Sequence, residues 1–514
     1  MIKSDKIIIL GGGSAGWMTA ATLISQFPNK DITVIESPNT PIVGVGESTL
    51  GQINDWLNLL DIKDEDFMPY TDASYKLSIR FEDFYKKGDG GFHYPFGSVH
   101  SDGLSFGKEN WFITKETNEH SYADFINTNM PLVNQNTLFK NENNELPNFN
   151  FQQHTAYHFD ATKFGTWLKN NYCIPRGVKH ITEDIKDILS DENGIVSLNN
   201  YSADFYIDCT GFKSILMNEL NVEFDSYEEL LPNNKAWATR VPYRDKENQL
   251  EPFTNCTAIE NGWVWNIPSW ERIGTGYVYS DKYVSDDEAL NEFKRHLDKK
   301  GHDYSNSDFK NIKMKVGIHK KLLEKNVCSI GLSAGFIEPL ESNGLLSVHQ
   351  FLLYLLKVMI RDNGNLCQYD IDAFNFASKQ FFESFAQFVS SHYALSHRDD
   401  TQYWKDISNK SYNEVGKKLT GDNYFEKEFD VLMTDNTKFD DGFGSNYVTT
   451  GFNYEAYSSV ETKKIKNNIG EKKLNHIKQE NQYRNDLVRK WNNLAKTKDK
   501  LHNYLKKYIH NKEI

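Results

Sequence analysis

A glycine-rich turn near the N-terminus constrains the fold of this chain more than any other feature. Gly11, Gly13 and Gly16 stand in G-x-G-x-x-G register, directly after the apolar segment 7–10 and directly before the helical segment 17–26. This register lets the backbone turn tightly and approach a pyrophosphate at a helix N-terminus. The pattern therefore predicts a dinucleotide-binding unit of strand, helix and strand. The alternative is a glycine turn that only packs a helix on a strand.

An acidic residue at the end of the next predicted strand, 32–35, narrows the choice of dinucleotide. Glu36 follows Gly16 by 20 residues, the spacing at which a carboxylate accepts hydrogen bonds from ribose hydroxyls. A carboxylate there favours a cofactor without a 2′-phosphate, meaning FAD or NAD. Ser14 and Ala15, inside the glycine turn, are further predicted cofactor contacts.

Two later segments, 207–212 and 331–340, also end a strand in a turn of small residues. They indicate a cofactor longer than one Rossmann half can hold, which favours FAD. Asp208, Gly335 and Leu340 are the candidate contacts in these segments. Because no second G-x-G-x-x-G follows a strand, a nicotinamide site is unsupported and reduced flavin has to come from another protein.

The remaining pattern predicts an α/β fold with a helical C-terminal lobe. Strand character, with aromatic and β-branched residues, recurs at 202–208, 263–267, 275–279 and 327–330. Helical character begins at Leu345. We expect a cofactor-binding and catalytic α/β module at 1–345, a helical lobe on the substrate side at 346–460, and a basic helical tail, packed on the body, at 461–514.

Composition excludes several classes of protein. With 514 residues, 39% of them hydrophobic, the chain can bury sizeable cores. The longest apolar stretch, 349–360, is far shorter than the roughly 20 residues of a bilayer span, so we expect no transmembrane helix. The N-terminal apolar run leads straight into glycines and does not resemble an export signal. The five cysteines form no CxxC pair, so neither a disulfide framework nor a zinc site is indicated, and we expect a reducing cytoplasm.

The net charge of −13 argues against affinity for nucleic acid or acidic membranes, but the charge is uneven. From Glu461 onward the chain carries +9, so the preceding 460 residues carry −22. A basic tail is compatible with nucleic-acid binding. We favour amphipathic helices, because apolar residues recur every three or four positions at Leu474, Ile477, Leu487, Trp491, Leu494, Leu501, Leu505 and Ile509.

Three motifs further along the chain identify a family. They are GVGEST at 44–49, GWVWNIP at 262–268 and EPLESNG at 338–344, with YHFDA at 157–161 and RDDTQYW at 398–404 as context. Together they resemble the flavin-dependent halogenases of the tryptophan halogenase family, over roughly residues 5 to 410. The W-x-W-x-I-P match is the most specific.

The resemblance implies a hydroxylase-like FAD-binding fold of the GR2 type, with a βαβ unit and mixed sheets. It also implies a two-component enzyme, in which a separate flavin reductase supplies FADH2 and the enzyme consumes O2 and a halide ion. Hypohalous acid then travels through the protein to an electron-rich aromatic substrate. Gly46, Glu47 and Ser48, in the GVGEST motif, are predicted cofactor contacts.

The family carries an essential lysine some thirty residues after this turn, and Lys76 matches its position. An ammonium can hold and polarise hypohalous acid, whereas an amine can itself be halogenated. The sequence does not choose between these roles. Without the resemblance, an exposed lysine on a strand is the ordinary interpretation.

Glu341 matches the second catalytic residue, a carboxylate that can orient the electrophile and accept a proton. The alternative is a glutamate that stabilises a helix N-terminus. Asn343 and Gly344, in the predicted cap of the helix that begins at Leu345, match the halide site of the family. Because the family usually has threonine at position 343, bromide or iodide preference over chloride is one consequence.

The resemblance makes Trp263, Trp265 and Pro268 a wall between the flavin and the substrate. Since the two tryptophans alternate on a strand, both indoles face one side. The alternative is a pair of core tryptophans in a sheet.

The substrate side departs from the family. Of the tyrosine pair that holds free tryptophan only Tyr447 has a match, Val448 replaces its partner, and no Phe-Trp element follows Glu455. Phe96 is the candidate to sandwich a flat ring. These differences favour indoles and phenols over free tryptophan.

Two other functions stay open at this point. One is a flavin-dependent aromatic hydroxylase, against which the tryptophan pair and Lys76 argue. The other is a non-catalytic flavin-binding protein with a functional basic tail. The sequence leaves the oligomeric state open, a homodimer included.

Overall fold

The computed structural model describes residues 1–39, 47–97, 111, 118–408, 445–453, 467–468 and 470–510. The strands in this part of the chain are, in order, β1 Lys6–Leu10, β2 Asp31–Glu36, β3 Glu47–Ser48, β4 Ser74–Lys76, β5 Ser78–Glu82, β6 Gly91–Pro95, β7 Ala156–Phe159, β8 Lys179–Thr182, β9 Ile188–Asp191, β10 Gly194–Leu198, β11 Phe205–Asp208, β12 Phe224–Ser226, β13 Lys235–Val241, β14 Phe253–Ile259, β15 Gly262–Pro268, β16 Ile273–Tyr279, β17 Lys310–Lys313, β18 Gly317–His319, β19 Leu323–Glu324, β20 Val327–Ser329 and β21 Gly335–Phe336.

The helices of the same ranges are α1 Ser14–Gln26, α2 Ile53–Leu59, α3 Asp64–Phe67, α4 Tyr122–Ile126, α5 Met130–Gln135, α6 Phe151–His154, α7 Ala161–Trp167, α8 Ile215–Glu219, α9 Lys246–Gln249, α10 Asp286–Lys300, α11 Asn343–Met359, α12 Gln368–Ala394, α13 Ser445–Gly451, α14 Glu471–Ala495 and α15 Leu501–Leu505.

Two compact units share the chain, and both are discontinuous in sequence. Unit 1 comprises Met1–Ala73, His158–Thr239 and Phe309–Ala386, and unit 2 comprises Ser74–Tyr157, Arg240–Asp308 and Gln387–Ile514. The sequential division at residues 345 and 460 stays a prediction.

Unit 1 is built on a six-stranded sheet in the order β19-β20-β11-β1-β2-β8. β1 pairs in parallel with both β11 and β2, and β20 and β8 extend the parallel pairing on either side. The central strands are almost entirely buried, as their continuous β-branched runs predict for a sheet covered on both faces. The predicted βαβ unit is confirmed, with the helix beginning at Ser14.

Unit 2 contains β16-β15-β14-β5-β6 as neighbouring strands. β15 pairs antiparallel with β14 and β16, whereas β14 and β5 are parallel. In this register Trp263 lies opposite Val278 and Ala258, and Trp265 lies opposite Gly276 and Cys256. Three of these four opposite residues are small, which leaves room for both indoles on one face of the sheet. The strands predicted here are confirmed.

The described tail residues belong to unit 2 and have one buried face. Leu501 backbone N–H donates to Asn136 O at 3.0 Å, and Lys498 Nζ bonds both carboxylate oxygens of Glu145 at 2.8 and 2.9 Å. Leu474, Leu487 and Leu494 are half-buried, and the fully covered apolar side chains of this face are Ile477, Trp491, Leu501, Leu505 and Ile509. The amphipathic interpretation predicts this arrangement.

One helix of the described ranges is long and apolar enough to cross a membrane by length and composition. It is Asn343–Asp362, 20 residues with a mean hydropathy of 1.3, and 61% of that window is buried inside the protein. Burial of this extent is usual for a core helix. The absence of a membrane span stays a prediction.

The contact between α1 and the glycine turn can be tested by two alanine variants. A Cβ at Gly16 would lie 1.9 Å from Gly11 O, so we expect Gly16→Ala to cost about 3 kcal/mol of stability. Gly13→Ala is the matched control, because φ is −76° and no atom lies within 4 Å of its Cβ position. We expect it to cost less than about 1 kcal/mol. Thermal unfolding by circular dichroism measures both, and equal losses would contradict this packing.

Candidate active site

The glycine turn brings backbone against backbone where β1 meets α1. Gly11 has φ +118°, and a Cβ there would lie 2.2 Å from Cys209 O. A Cβ at Gly16 would lie 1.9 Å from Gly11 O. Larger residues at either position would push β1, β11 and α1 apart. The turn therefore needs glycine at both positions for packing, whatever it binds.

The N-terminus of α1 has the features of an anion site. Gly13 is the N-cap, with no side-chain cap, and the first turn contains no acidic residue. The Ser14 hydroxyl donates to Ala161 O at 2.9 Å, so it is turned to the protein, and the backbone N–H groups of Ser14 and Ala15 lie in the first turn. Among the described residues nothing lies within 4 Å of a Cβ at Gly13 and no side chain caps the helix, so its first N–H groups fit a pyrophosphate. The residues present are thus compatible with a dinucleotide.

Glu36 lies at the end of β2 and is held by two basic side chains that the sequence analysis missed. Its Oε1 accepts from Lys169 Nζ at 2.9 Å and lies 2.6 Å from His180 Nε2. Its Oε2 lies so close to Gly12 that a Cβ there would be 1.8 Å away. The carboxylate is 23% exposed and stands beside the glycine turn. Its role toward ribose stays a prediction.

Asp208 is fully buried, and its carboxylate organises a turn. Oδ1 accepts from the Thr210 N–H and hydroxyl at 3.0 and 2.7 Å, and Oδ2 accepts from the Leu216 and Met217 N–H groups at 2.7 and 3.1 Å. Burial raises the pKa of Asp208, and these hydrogen bonds oppose that rise. The Ser333 hydroxyl donates to Asp208 O, which joins the two strand-to-turn segments. A flavin contact by this carboxylate stays a prediction.

The EPLESNG segment forms a tight turn followed by α11. Pro339–Glu341 is a 3₁₀ turn in which Leu340 and Glu341 are fully buried. Ser342, at φ +58°, is the N-cap, and its hydroxyl donates to Ser48 Oγ at 3.0 Å. The prediction that α11 begins at Leu345 is wrong, because the left-handed turn at Ser342 lets the helix begin at Asn343.

Asn343 is held in place by Glu338, a residue whose role was not predicted from the sequence. Asn343 Nδ2 donates to Glu338 O at 3.2 Å, and the buried Glu338 carboxylate accepts from Asn233 Nδ2 at 2.6 Å. Asn343 Oδ1 has no partner among the described residues. This loop is therefore fixed by hydrogen bonds, and it presents an amide oxygen that the described chain does not use.

A small cavity adjoins the start of α11 inside unit 1. It leaves about 10 Å³ open to the centre of a water-sized sphere, roughly the room of one water or one small ion. Gly335, Asn343 and Gly344 line it together with aromatic side chains from α12. Gly335 also pairs with Ile318 in the sheet. A Cβ at Gly335 would lie 2.6 Å from Gly317 O, so this pairing needs glycine at position 335.

Lys76 ends β4 in unit 2, and its side chain is fully buried. Its Nζ lies 4.9 Å from the centroid of the Phe96 ring. The exposed-lysine interpretation is therefore wrong. The Ser74 hydroxyl donates to Pro268 O at 2.7 Å, which ties β4 to the end of the W-x-W-x-I-P strand.

Trp263 and Trp265 are both buried on β15, with ring centroids 6.2 Å apart. Trp265 O accepts from the Thr275 hydroxyl at 2.8 Å, whereas Trp265 Nε1 has no partner in the described part of the chain. The rings form one apolar surface in unit 2, as the strand alternation predicts. Their role as a wall stays a prediction.

Aromatic rings cluster around Phe96 and Tyr447 in unit 2. Tyr94 stacks on Tyr447 at 5.8 Å and 24° and meets Phe96 edge-on at 5.9 Å. Burial, with a smaller effect of Arg80, lowers the pKa of His93 to about 3, so this neighbour is neutral at neutral pH. Tyr94 belongs to the aromatic segment 92–97, in which the sequence favours Phe96 as the ring that sandwiches a substrate.

Some predicted residues lie outside the described ranges, and others belong to different units. Gly46 lies outside the described residues, whereas Glu47 and Ser48 form β3, which pairs with β7. Lys76 belongs to unit 2 and Glu341 to unit 1. Their pairing in one site stays a prediction.

Comparisons with known proteins identify the family. Residues 6–441 match the family model described as tryptophan halogenase. The tryptophan 6-halogenase SttH of Streptomyces toxytricini is 33% identical over 79% of this chain and 81% of its own, and the tryptophan 7-halogenase RebH of Lentzea aerocolonigenes is 32% identical over 78% of each. The solved apo structure of VirX1 is 37% identical, with a TM-score of 0.88 over 99% of this chain and 100% of its own.

These matches extend over both units, and solved flavin-dependent halogenases share the fold. The predicted α/β flavoprotein fold is thereby confirmed. Enzymes of this kind use FADH2 from a separate flavin reductase. The chain belongs to the tryptophan halogenase family and is a flavin-dependent halogenase.

Proposed function

We propose that this enzyme makes hypohalous acid at reduced FAD and halogenates an electron-rich aromatic such as an indole, with Lys76 and Glu341 as its catalytic residues. The observation that carries the proposal is the complete burial of Lys76 beside the Phe96 ring. An ammonium out of water needs a strong reason to be there, because burial disfavours the charged form.

Lys76 has two properties that suit it to a small electrophile. Its N–H groups can donate to the oxygen of hypohalous acid and polarise the oxygen–halogen bond. The face of Phe96 stabilises the cation where water is excluded. The lysine thus holds the oxidant next to aromatic side chains and away from solvent.

Glu341 is suited to accept the proton that the aromatic ring loses after attack. It lies directly before the N-terminus of α11, where the helix dipole favours the carboxylate. Its complete burial keeps the carboxylate out of water, where its oxygens can accept a proton from a bound substrate. Removing this proton restores aromaticity and completes the substitution.

FAD fits the unit 1 cradle of Gly11, Gly13, Ser14, Ala15 and Gly16. When bound, FADH2 supplies the electrons with which O2 and halide are converted to hypohalous acid. Asp208, Gly335 and Leu340 shape further turns of unit 1, and Ser48 supports the cap of α11. Trp263, Trp265 and Pro268 keep the aromatic substrate from the flavin, so only the small oxidant passes.

We place the halide at Asn343 and Gly344. The N-terminus of α11 supports this placement, because its backbone N–H groups favour an anion. Asn343 Nδ2 donates to Glu338 O, so the Asn343 atom that remains for the halide is the acceptor Oδ1. The threonine usual at this position would offer a hydroxyl donor instead. An acceptor there disfavours the small, charge-dense chloride more than the larger halides, which supports bromide or iodide.

The substrate is an indole or phenol rather than free tryptophan. The relatives SttH and RebH are named as halogenases of tryptophan. Here Val448 stands beside Tyr447 and removes a hydrogen-bond donor that an amino-acid carboxylate would need. Phe96 and Tyr447 supply flat apolar surface instead.

We place the enzyme in the reducing cytoplasm, with a separate flavin reductase as partner and a homodimer as a further proposal. All five cysteines are free, and four are buried. Free cysteines without a disulfide suit that compartment.

Substituting each catalytic residue tests the chemistry. We expect Lys76→Ala to abolish halogenation, because no side chain then binds the hypohalous acid. We expect Glu341→Gln to slow halogenation by orders of magnitude, because no base then accepts the proton from the halogenated ring. Product formation from indole with bromide is measured by mass spectrometry, and FAD binding by fluorescence. Retained turnover, or loss of FAD affinity in Lys76→Ala, would contradict the assigned roles.

The basic partners of Glu36 tune FAD affinity. Without Lys169 the Glu36 carboxylate keeps only His180 as a partner, at 2.6 Å, so more of its negative charge faces the anionic cofactor beside the glycine turn. We expect Lys169→Met to weaken FAD binding several-fold in titrations, and much less when Glu36→Gln is already present. Lys179→Met is the matched control, because Lys179 pairs with Asp31 instead. An effect no larger than that of Lys179→Met would refute this role.

Halide choice is tested at position 343. We expect Asn343→Thr, which restores the usual family residue, to raise the ratio of chlorinated to brominated product several-fold in mixtures of equal halide concentration. Chromatography with mass detection gives the ratio, with FAD affinity as the control. An unchanged ratio would mean that this side chain does not set halide preference.

A further inference from the structure

We propose that Asn127 is a positioning residue of the substrate pocket, whose side-chain amide couples Tyr447 to Phe96. The inference rests on the proposed function, in which these two rings contact the aromatic substrate. Asn127 was not among the residues that the sequence analysis identified. It lies in unit 2 and is fully buried.

The hydrogen bonds of Asn127 use its whole side-chain amide. Oδ1 accepts from the Asn129 backbone N–H at 2.8 Å, and Nδ2 donates to Phe96 O at 3.2 Å and to Tyr447 Oη at 3.1 Å. A backbone N–H can only donate and a backbone carbonyl can only accept, so the orientation of the amide is fixed. In this pair the Tyr447 hydroxyl is therefore the acceptor, and its own proton points away from Asn127.

The backbone of Phe96 is held on both sides. Its N–H donates to Leu77 O at 2.8 Å, and its carbonyl also accepts from Asn129 Nδ2 at 2.7 Å. Leu77 directly follows Lys76, whose Nζ lies 4.9 Å from the Phe96 ring. A continuous path of bonds thus runs from Lys76 through Phe96 and Asn127 to Tyr447.

Tyr447 is held by ring contacts and by this amide. It comes 320 residues after Asn127 in the chain, on α13. Its ring stacks on Tyr94 at 5.8 Å and 24° and meets Tyr122 at 5.8 Å and 57°, and such ring contacts allow sliding. The hydrogen bond to the hydroxyl is directional and restrains the ring against this sliding. Asn127 thereby helps to fix the position of Tyr447 relative to Phe96, the ring next to Lys76.

This arrangement predicts which property of the enzyme depends on Asn127. When Asn127 is truncated, Phe96 O still accepts the hydrogen bond from Asn129 Nδ2. The backbone of Phe96 therefore stays in place, whereas Tyr447 can move. A shift of about 1 Å in substrate position is enough to change turnover by up to about 100-fold. The effects therefore fall on turnover, on KM for the aromatic substrate and on the ratio of positional isomers, and not on FAD affinity.

The test compares Asn127→Ala with Asn141→Ala. Asn141 is a matched control in unit 2, because it is also buried and its amide also makes three hydrogen bonds, to Leu146 O, Leu146 N and Phe149 O. We expect Asn127→Ala to raise KM and the calorimetric Kd for indole about tenfold and to change the isomer ratio with bromide. Asn141→Ala is expected to lower only thermal stability.

Tyr447→Phe provides a second variant that keeps the ring and removes only the hydroxyl. We expect it to reproduce the effect of Asn127→Ala on indole binding, and we expect the double variant to be no worse than the more impaired single variant, since both remove one interaction. Strictly additive effects, or an Asn127→Ala variant that behaves like Asn141→Ala, would overturn the inference. Should Asn127→Ala not fold, an unchanged Kd and isomer ratio in Tyr447→Phe would overturn it equally. Wild-type protein that binds indole without halogenating it would instead count against the proposed function.

Discussion

The close contact between Gly16 and Gly11 is the constraint on which unit 1 depends. It lets α1 begin soon after β1 ends. The backbone of Cys209, in the turn that follows β11, lies similarly close to Gly11. Every other feature of the cradle follows from that proximity. The α1 N-terminus stays uncapped, Glu36 reaches the turn from β2, and Asp208 joins its own turn to Ser333. Packing requirements and cofactor requirements coincide here, so the same glycines serve both.

In unit 2 the comparable constraint is the burial of a lysine among aromatic rings. Burying the charged end of a lysine is costly, and hydrogen bonds hold the backbone segments on either side of Lys76. Ser74 bonds Pro268 on one side of Lys76, and Leu77 bonds Phe96 on the other. An aromatic hydroxylase would have no use for such a lysine. The proposed halogenation gives the burial a purpose, because a reactive oxidant must be held away from water.

The sequence predicted the local elements well and the long-range pairings poorly. The βαβ unit and β15 follow from glycine spacing, β-branched runs and alternation, all of which are properties of neighbouring residues. Lys169 lies 133 residues from Glu36, and Asn127 lies 320 residues from Tyr447, so no local pattern could pair them. The start of α11 was misplaced by two residues because a left-handed serine cap has no distinctive sequence. The function of Lys76 was accessible only through the family motifs.

The central claim is that the enzyme delivers halogen, rather than oxygen, to an aromatic ring. The most direct measurement is the product mass when wild-type protein receives indole, O2, bromide and FADH2 from a generic flavin reductase. We expect replacement of one hydrogen by one bromine, with the paired isotope pattern of that element. A product that gains one oxygen, with or without bromide, would contradict it.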